Sequence, residues 1–377
     1  MPQRRPTMRT VPDRPFVGAL KPRRHILPVV VISACIAISF LCRSAAARVP
    51  ALQAQAQPNP YTTWTVTIVL PPKLMAGHPA TLAVFGVDRK LAAGVTVTLG
   101  DGQMVTTDRT GRALFTVPAS GDYLLAKGSG ASVAALVDPA AGASEPKKTS
   151  LPSIVSIRDG FWICSAGLRG DADADSVRIN NEPALVLAAS PECLVALPSQ
   201  KATPGPAKIS VEAPGMQATA TTTLVALDFD APQPALTPEQ KSRLDVRVRG
   251  SDQKIGIVVE NETPGVLRFV RGDTQELFTR GGPENGASLE VQAIRSGDYS
   301  FRAGLIPEAD TAIAQRYLLA AVALAPRELQ SGIQGLARRL VRHPRDSQAV
   351  RAELGQVLGR TIAGDFRTLL NAAFETL

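Results

Sequence analysis

The chain has 377 residues, of which 45% are hydrophobic and 5% aromatic, with 30 glycines and 30 prolines. That length predicts two or three domains, and the composition predicts many short strands and turns around cores of Ala, Val and Leu. The formal net charge of +8 suggests a polyanion partner, but eight Lys and Arg residues, against Asp13 alone, precede Arg48 and leave 33 basic and 32 acidic residues beyond it. With no basic patch interleaved with aromatics, nucleic acid is excluded as a partner.

Residues 1–47 have the layout of an export signal. The basic stretch Lys21-Pro22-Arg23-Arg24 precedes an apolar run from Ile26 to Cys42, and Ser44-Ala45-Ala46-Ala47 places small residues at a cut after Ala47. The run is at the short limit of a membrane span, so the two readings are a cleaved signal peptide and an uncleaved anchor. Residues 26–42 are the one membrane contact the sequence predicts. Either reading places the rest of the chain outside the cytoplasm: secreted, periplasmic or at the cell surface. Residues 48–62, rich in Ala, Gln and Pro, read as a flexible linker.

From Thr63 the pattern alternates with period two. Trp64, Val66, Ile68 and Leu70 share one side, and further runs follow at 81–85, 94–99, 113–117 and 123–126, with Gly100-Asp101-Gly102 and Asp108-Arg109-Thr110-Gly111 as turns. Short strands with no helical period between them predict a β-sandwich over 63–139. Ala140–Ser150 reads as a polar linker. A second strand series, at 152–157, 176–179, 184–187, 193–197 and 207–211, predicts a sandwich over 151–227. A third, at 244–248, 255–259, 266–269 and 289–293, predicts one over 240–306. Ser296-Gly297-Asp298-Tyr299 repeats the Ser120-Gly121-Asp122-Tyr123 of the first, and both tyrosines are expected to be structural.

Ala76-Gly77-His78-Pro79-Ala80-Thr81-Leu82 and Thr107-Asp108-Arg109-Thr110-Gly111-Arg112-Ala113-Leu114-Phe115 resemble the bacterial immunoglobulin-like repeats of surface and adhesion proteins. Asp108 and Gly111 are expected only to build a turn. The second region resembles the IPT/TIG family of immunoglobulin-like domains. The likeness rests on the Pro152-x-Ile-x-x-Ile157 opening, Val177-Arg-Ile-Asn-Asn-Glu-Pro-Ala184, and Leu194-Val-Ala-Leu-Pro198 followed by Gly205-Pro-Ala-Lys-Ile-Ser-Val211. Asn181 stands where that family has Gly, so the hairpin is expected to be built differently. The resemblance implies tandem immunoglobulin-like sandwiches, a mainly β fold, that adhere, space or pack. It also makes the strands of Cys164 and Cys193 neighbours in one sheet. A disulfide is then one reading and two buried thiols the other.

After Pro307 the period becomes helical. Ile313, Tyr317, Ala321 and Leu324 form one stripe; Leu329, Ile333, Leu336 and Leu340 a second; Val350, Leu354, Val357 and Leu358 a third; Phe366, Leu369, Leu370 and Phe374 a fourth. Pro326 is expected to start the second helix, Asp346 to cap the third and Asp365 the fourth. Residues 307–377 are thus a C-terminal α-helical segment that packs on itself or on the third sandwich, or else docks on a partner.

Candidate chemistry is sparse. Asp171, Asp173, Asp175 and Glu182 match positions 1, 3, 5 and 12 of a calcium loop, but Ser176 stands where the turn needs Gly and the flanks read as strands. The other reading is an acidic hairpin loop. Arg169-Gly170-Asp171 overlaps it as a tripeptide that integrins can recognise. No G-x-S-x-G, H-E-x-x-H or phosphate-cradling Gly loop occurs, no cofactor is implied, and no enzyme active site is expected. Two function classes stand: a structural or adhesive protein that meets a cell-surface protein or polysaccharide, and a carbohydrate- or calcium-linked binding module accessory to an envelope enzyme.

Overall fold

A computed structural model describes residues 66–140, 149–230, 237–270, 274–282, 286–297 and 299–377. The export signal or anchor, the cut after Ala47, the linker 48–62 and Trp64 lie outside the described residues, as do most of the second linker and Asp298. The fold is mainly β: tandem immunoglobulin-like sandwiches followed by an α-helical segment.

The first sandwich holds β1 (Thr67–Val69), β2 (Lys73–Met75), β3 (Pro79–Phe85), β4 (Thr96–Leu99), β5 (Met104–Thr106), β6 (Arg112–Thr116), β7 (Tyr123–Gly128) and β8 (Ala131–Asp138). β3 lies between β1 and β6, and the facing sheet runs β2-β8-β7-β4-β5. Leu74, Leu82, Val84, Val97, Leu99, Phe115 and Leu124 fill the space between them. Alternation places these side chains inward. The Asp108–Gly111 turn is built as expected: the Asp108 carboxylate accepts from the Thr110 and Arg112 amides at 2.7 and 3.2 Å, and Gly111 takes φ +74°.

The second sandwich holds β9 (Ile154–Ser156), β10 (Phe161–Cys164), β11 (Ser176–Ile179), β12 (Glu182–Ala189), β13 (Cys193–Leu197), β14 (Gly205–Ala213) and β15 (Met216–Asp230). β12 serves both layers. Its first residues pair with β11, its later ones with β13, and the register shifts between Val186 and Ala188. The β11–β12 hairpin closes on Asn180 and Asn181, at φ 50° and 70°. Two left-handed residues suit the twist of a tight hairpin, and Asn tolerates that region best after Gly. Asn181 therefore does the work of Gly, and the expectation of a different turn is corrected.

The third sandwich holds β16 (Lys241–Arg249), β17 (Lys254–Asn261), β18 (Leu267–Phe269), β19 (Thr274–Arg280), β20 (Gly286–Ala293) and β21 (Phe301–Leu305). β15 joins it to the second. Its first half pairs with β14, and Ala226–Asp230 pair with β16. Leu224 belongs to the second core and Val225 to the third, so the boundary at residue 227 lies inside one continuous strand.

The helices are α1 (Thr311–Leu324), α2 (Arg327–Arg342), α3 (Ser347–Leu358) and α4 (Asp365–Thr376). Their starts differ in part from expectation. Pro326 precedes α2 as expected, and Asp310 caps α1 by accepting from the Ile313 amide. Asp346 occupies the cap position of α3 without a capping bond, and Asp365 is the first helical residue of α4, behind Gly364. Asp365 instead pairs with Lys127 of β7. No helix among the described residues is long and apolar enough to cross a membrane.

The four stripes do bury one another, yet they do so against the first sandwich. One cluster unites Tyr317, Leu318, Ile333, Leu340, Leu354, Leu369 and Leu370 with Leu125, Ala134 and Leu136 of β7 and β8. Within β7, Leu124 and Ala126 face the sandwich core while Leu125 faces the helices. The Tyr317 hydroxyl donates to the Ala134 carbonyl at 3.2 Å, and burial pushes its pKa up, so it remains a donor. Arg316 donates to Asp138 and to the Val137 carbonyl. On the other side, Arg351 of α3 donates to Glu276 of β19 at 2.9 Å and to the Phe374 carbonyl, with its guanidinium over the Phe374 ring. The helices thus tie the first sandwich to the third, and Ala56–Leu377 forms one compact unit.

Leu125→Ala measures this docking. If β7 turned that face to solvent, the change would be close to neutral. With Leu125 buried at 5% exposure, chemical denaturation is expected to show a loss of about 2–5 kcal/mol.

Candidate functional site

Asp171, Asp173 and Asp175 lie where the first sandwich meets the second, and Glu182 stands apart from them at a hairpin tip. Apolar contact there comes from Ala83, Leu187, Ala188 and Val195, with Phe85 and Leu91 beside them. One ladder pair, Thr81 with Ala189, joins the sheets. Beside this seam the loop between β10 and β11 reaches over the start of β3.

Thr81 is the fastening point. Its hydroxyl, almost fully buried, donates to the Gly170 carbonyl at 2.7 Å and accepts from the Ala172 amide at 3.1 Å. Gly170 must be glycine, because a Cβ there would lie 1.7 Å from the Pro79 carbonyl oxygen. The Arg169-Gly170-Asp171 tripeptide therefore has its central residue pressed against the first sandwich, and the Arg169 guanidinium donates to the Pro214 carbonyl. That geometry does not present an extended recognition loop.

The candidate calcium carboxylates have separate tasks. Asp171 accepts from the Asp173 amide at 3.0 Å, which closes the loop on itself. Asp173 pairs with Arg112 of β6, whose guanidinium also donates to the Val186 carbonyl at 3.2 Å. Asp175 turns inward, and both of its oxygens accept from the Arg169 amide at 3.1 Å. Glu182 opens β12 at the tip of the hairpin. The extended strand β11 separates it from Asp175 by roughly 13 Å of rise. A 1-3-5-12 loop must curl back to bring position 12 to the ion, and residues 176–179 run straight away from it. Among the described residues, no group of three or more His, Cys, Asp or Glu is placed to hold a metal ion.

A shallow cavity of about 230 Å³ lies here, lined by Arg112, Asp173, Asp175, Arg178, Pro183 and Leu185 among others. Its lining includes no histidine or cysteine. Arg112 and Asp173 already neutralise one another. Burial holds the Asp175 carboxyl at a pKa of about 6, above its ordinary 3.8, against the lowering effect of the Arg169 amide. The arrangement suits a polar joint better than a nucleophile with its base.

Cys164 and Cys193 face one another directly across β10 and β13, with Cα atoms 4.0 Å apart and their sulfurs bonded. On its other side Cys164 exchanges backbone hydrogen bonds with Ser150 at 2.8 Å, so the cysteine pair occupies a non-hydrogen-bonded site of the ladder, where side chains are closest. Sequence reasoning missed Thr81 and Arg112, because a strand Thr and a strand Arg carry no local signal of contacts made between about sixty and ninety residues away.

No family model and no curated protein matches the chain. Among solved structures it is similar to the full extracellular region of plexin A4, at 11% identity over 71% of this chain, with a TM-score of 0.24. The chain spans only 25% of that structure. It is similar to SGBP-B of the Bacteroides ovatus mixed-linkage glucan utilization locus, solved with a mixed-linkage heptasaccharide, at 11% identity over 63% of this chain and 72% of that one, TM-score 0.21. It is also similar to the I9–I11 tandem of titin, at 11% identity over 64% of this chain and 95% of that one, TM-score 0.19.

Gly170→Ala tests the seam: calorimetry is expected to show a lower Tm or a split transition, as the loop lifts from Pro79, whereas Ala166→Gly in the same loop changes little. Asp175 makes a second test. Its raised pKa means the folded state favours the protonated form, so its contribution to stability is complete below pH 3.8 and lost as pH rises through about 6. The loss is roughly 3 kcal/mol. Asp175→Asn is expected to flatten that part of the stability–pH curve, and an unchanged curve would show that Asp175 titrates normally.

Proposed function

We propose that the chain is a non-catalytic, extracytoplasmic structural or adhesive protein, with a first sandwich of the bacterial immunoglobulin-like kind and a second of the IPT/TIG kind. The observation that carries this reading is the way the sandwiches are joined. The first meets the second through a sheet pair and the Thr81 clasp, the second runs into the third along β15, and the helices tie the third back to the first. Such joints make a stiff body suited to presenting a surface. A bonded Cys164–Cys193 pair is chemistry of an oxidising compartment and supports export.

A stacking site for sugars would favour the accessory binding module instead. Among the described residues Phe278 is the one exposed aromatic ring, and Lys254 sits over it at 5.3 Å. That favours the structural reading over the glycan-binding one.

The test has two parts. N-terminal sequencing of the envelope or secreted fraction is expected to begin at or near Arg48, and an intact Met1 in a soluble cytosolic pool would overturn export. Residues 48–377 incubated with bacterial envelope material are expected to sediment with it and to release no reducing ends, amines or phosphate. Steady product release that scales with protein would overturn the non-catalytic reading.

A further inference from the structure

The buried side of α2 is accounted for by Ile333, Leu336, Ala337 and Leu340. Its other side is unusual for this chain. At about 3.6 residues per turn, Arg327, Gln334, Arg338, Val341 and Arg342 fall on one face, and all are exposed. Arg345, in the short turn Pro344–Asp346 that follows, is exposed as well. Arg339, at the edge of the buried face, pairs with Glu353. Arg327, Arg338, Arg342 and Arg345 form no ion pair among the described residues. Glu328 lies to one side of the face and Asp346 beyond its end, so no acid interrupts it.

Overall composition does not produce this stripe. Beyond residue 47 the chain carries 33 basic and 32 acidic residues, and elsewhere they are interleaved. On β16, for example, Arg243, Arg247 and Arg249 bond to Asp245, Asp230 and Asp228. Three unpaired guanidiniums along a helix of 16 residues, about 24 Å long, with a fourth in the turn just beyond it, stand against that pattern. The stripe also carries apolar surface. Val341 is 58% exposed in its midst, and Leu324, 40% exposed, ends α1 just ahead of Arg327.

We propose that this face of α2 docks on an anionic lipid surface. Guanidiniums match headgroup phosphates in charge and geometry. The exposed Val341 and Leu324 gain by entering the headgroup layer, which a soluble polyanion does not offer. Each arginine held near such a surface contributes about a fivefold gain in partition, screened over a Debye length. The contact differs from the apolar run 26–42: it is electrostatic, reversible, and belongs to the folded body.

The experiment uses residues 48–377, which contain the whole compact unit from Ala56 to Leu377 and lack the apolar run. Cosedimentation is measured with vesicles of phosphatidylcholine alone and with vesicles containing about a quarter phosphatidylglycerol. Binding is expected to the second only and to weaken steeply with salt. The combined Arg338→Gln, Arg342→Gln and Arg345→Gln variant is expected to bind about a hundredfold more weakly, with an unchanged melting temperature. Val341→Asp is expected to weaken vesicle binding while leaving any binding to inorganic polyphosphate intact. Equal binding to neutral vesicles, or full binding by the triple variant, overturns the proposal. If polyphosphate binds with the same arginine dependence and Val341→Asp has no effect on vesicles, the stripe serves a soluble polyanion and the lipid assignment fails. None of these outcomes depends on where the leader is cut.

Discussion

Two strands of the first sandwich have apolar residues on both faces, and the arrangement of the rest follows from that. In β7 and β8, Leu124, Ala126, Ala135 and Val137 fill the sandwich, while Leu125, Ala134 and Leu136 are left pointing outward. An immunoglobulin-like sheet normally turns a polar face to water. Here the C-terminal helices cover that second face, and the chain must return to its own beginning to do so. Having returned, it places Arg351 against Glu276 of the third sandwich and Arg316 against Asp138 of the first. A row of beads becomes a closed arrangement because one sheet has no solvent side.

The joints between sandwiches use different physics. Between the second and third, β15 pairs first with β14 and then with β16, and Leu224 belongs to one core while Val225 belongs to the next. Between the first and second, a small apolar seam is fixed by polar groups that are each satisfied: the Thr81 hydroxyl as donor and acceptor, Arg112 on Asp173 and Val186. Buried polar groups are tolerated only when paired, and paired they specify one arrangement. The acidic loop is therefore explained by what it touches. Its carboxylates close a turn, hold an arginine and accept from the Arg169 backbone amide.

Part of this was legible in advance. Ser176–Ile179 and Cys193–Leu197 are strands at the very residues the alternation marks, and the four helical stripes bury except at Leu324, which ends the first of them exposed. β15 was missed because its Ala- and Thr-rich first half shows no contrast between faces, and β19 because its pattern of burial is shallow. The runs Leu124-Leu125-Ala126 and Ala134-Ala135-Leu136-Val137 held an unused signal: unbroken apolar residues in a short strand mean that both faces are covered. In β7 and β8 the second cover is the helices.

The sequence by itself determined what is local. Alternation, turn residues and helical stripes set the strands, the hairpins and the helices, since period and φ preference are properties of neighbouring residues. It also put Cys164 and Cys193 in adjacent strands, once the order of strands was taken from the family likeness. Only the tertiary structure decided where the helices dock, that Gly170 is a contact and not a recognition loop, and that Glu182 stands a strand's length from Asp175. Each of these depends on groups far apart in the chain. Spacing along a sequence reports distance in space only while the backbone keeps one regular form, and at a loop or an interface that information ends.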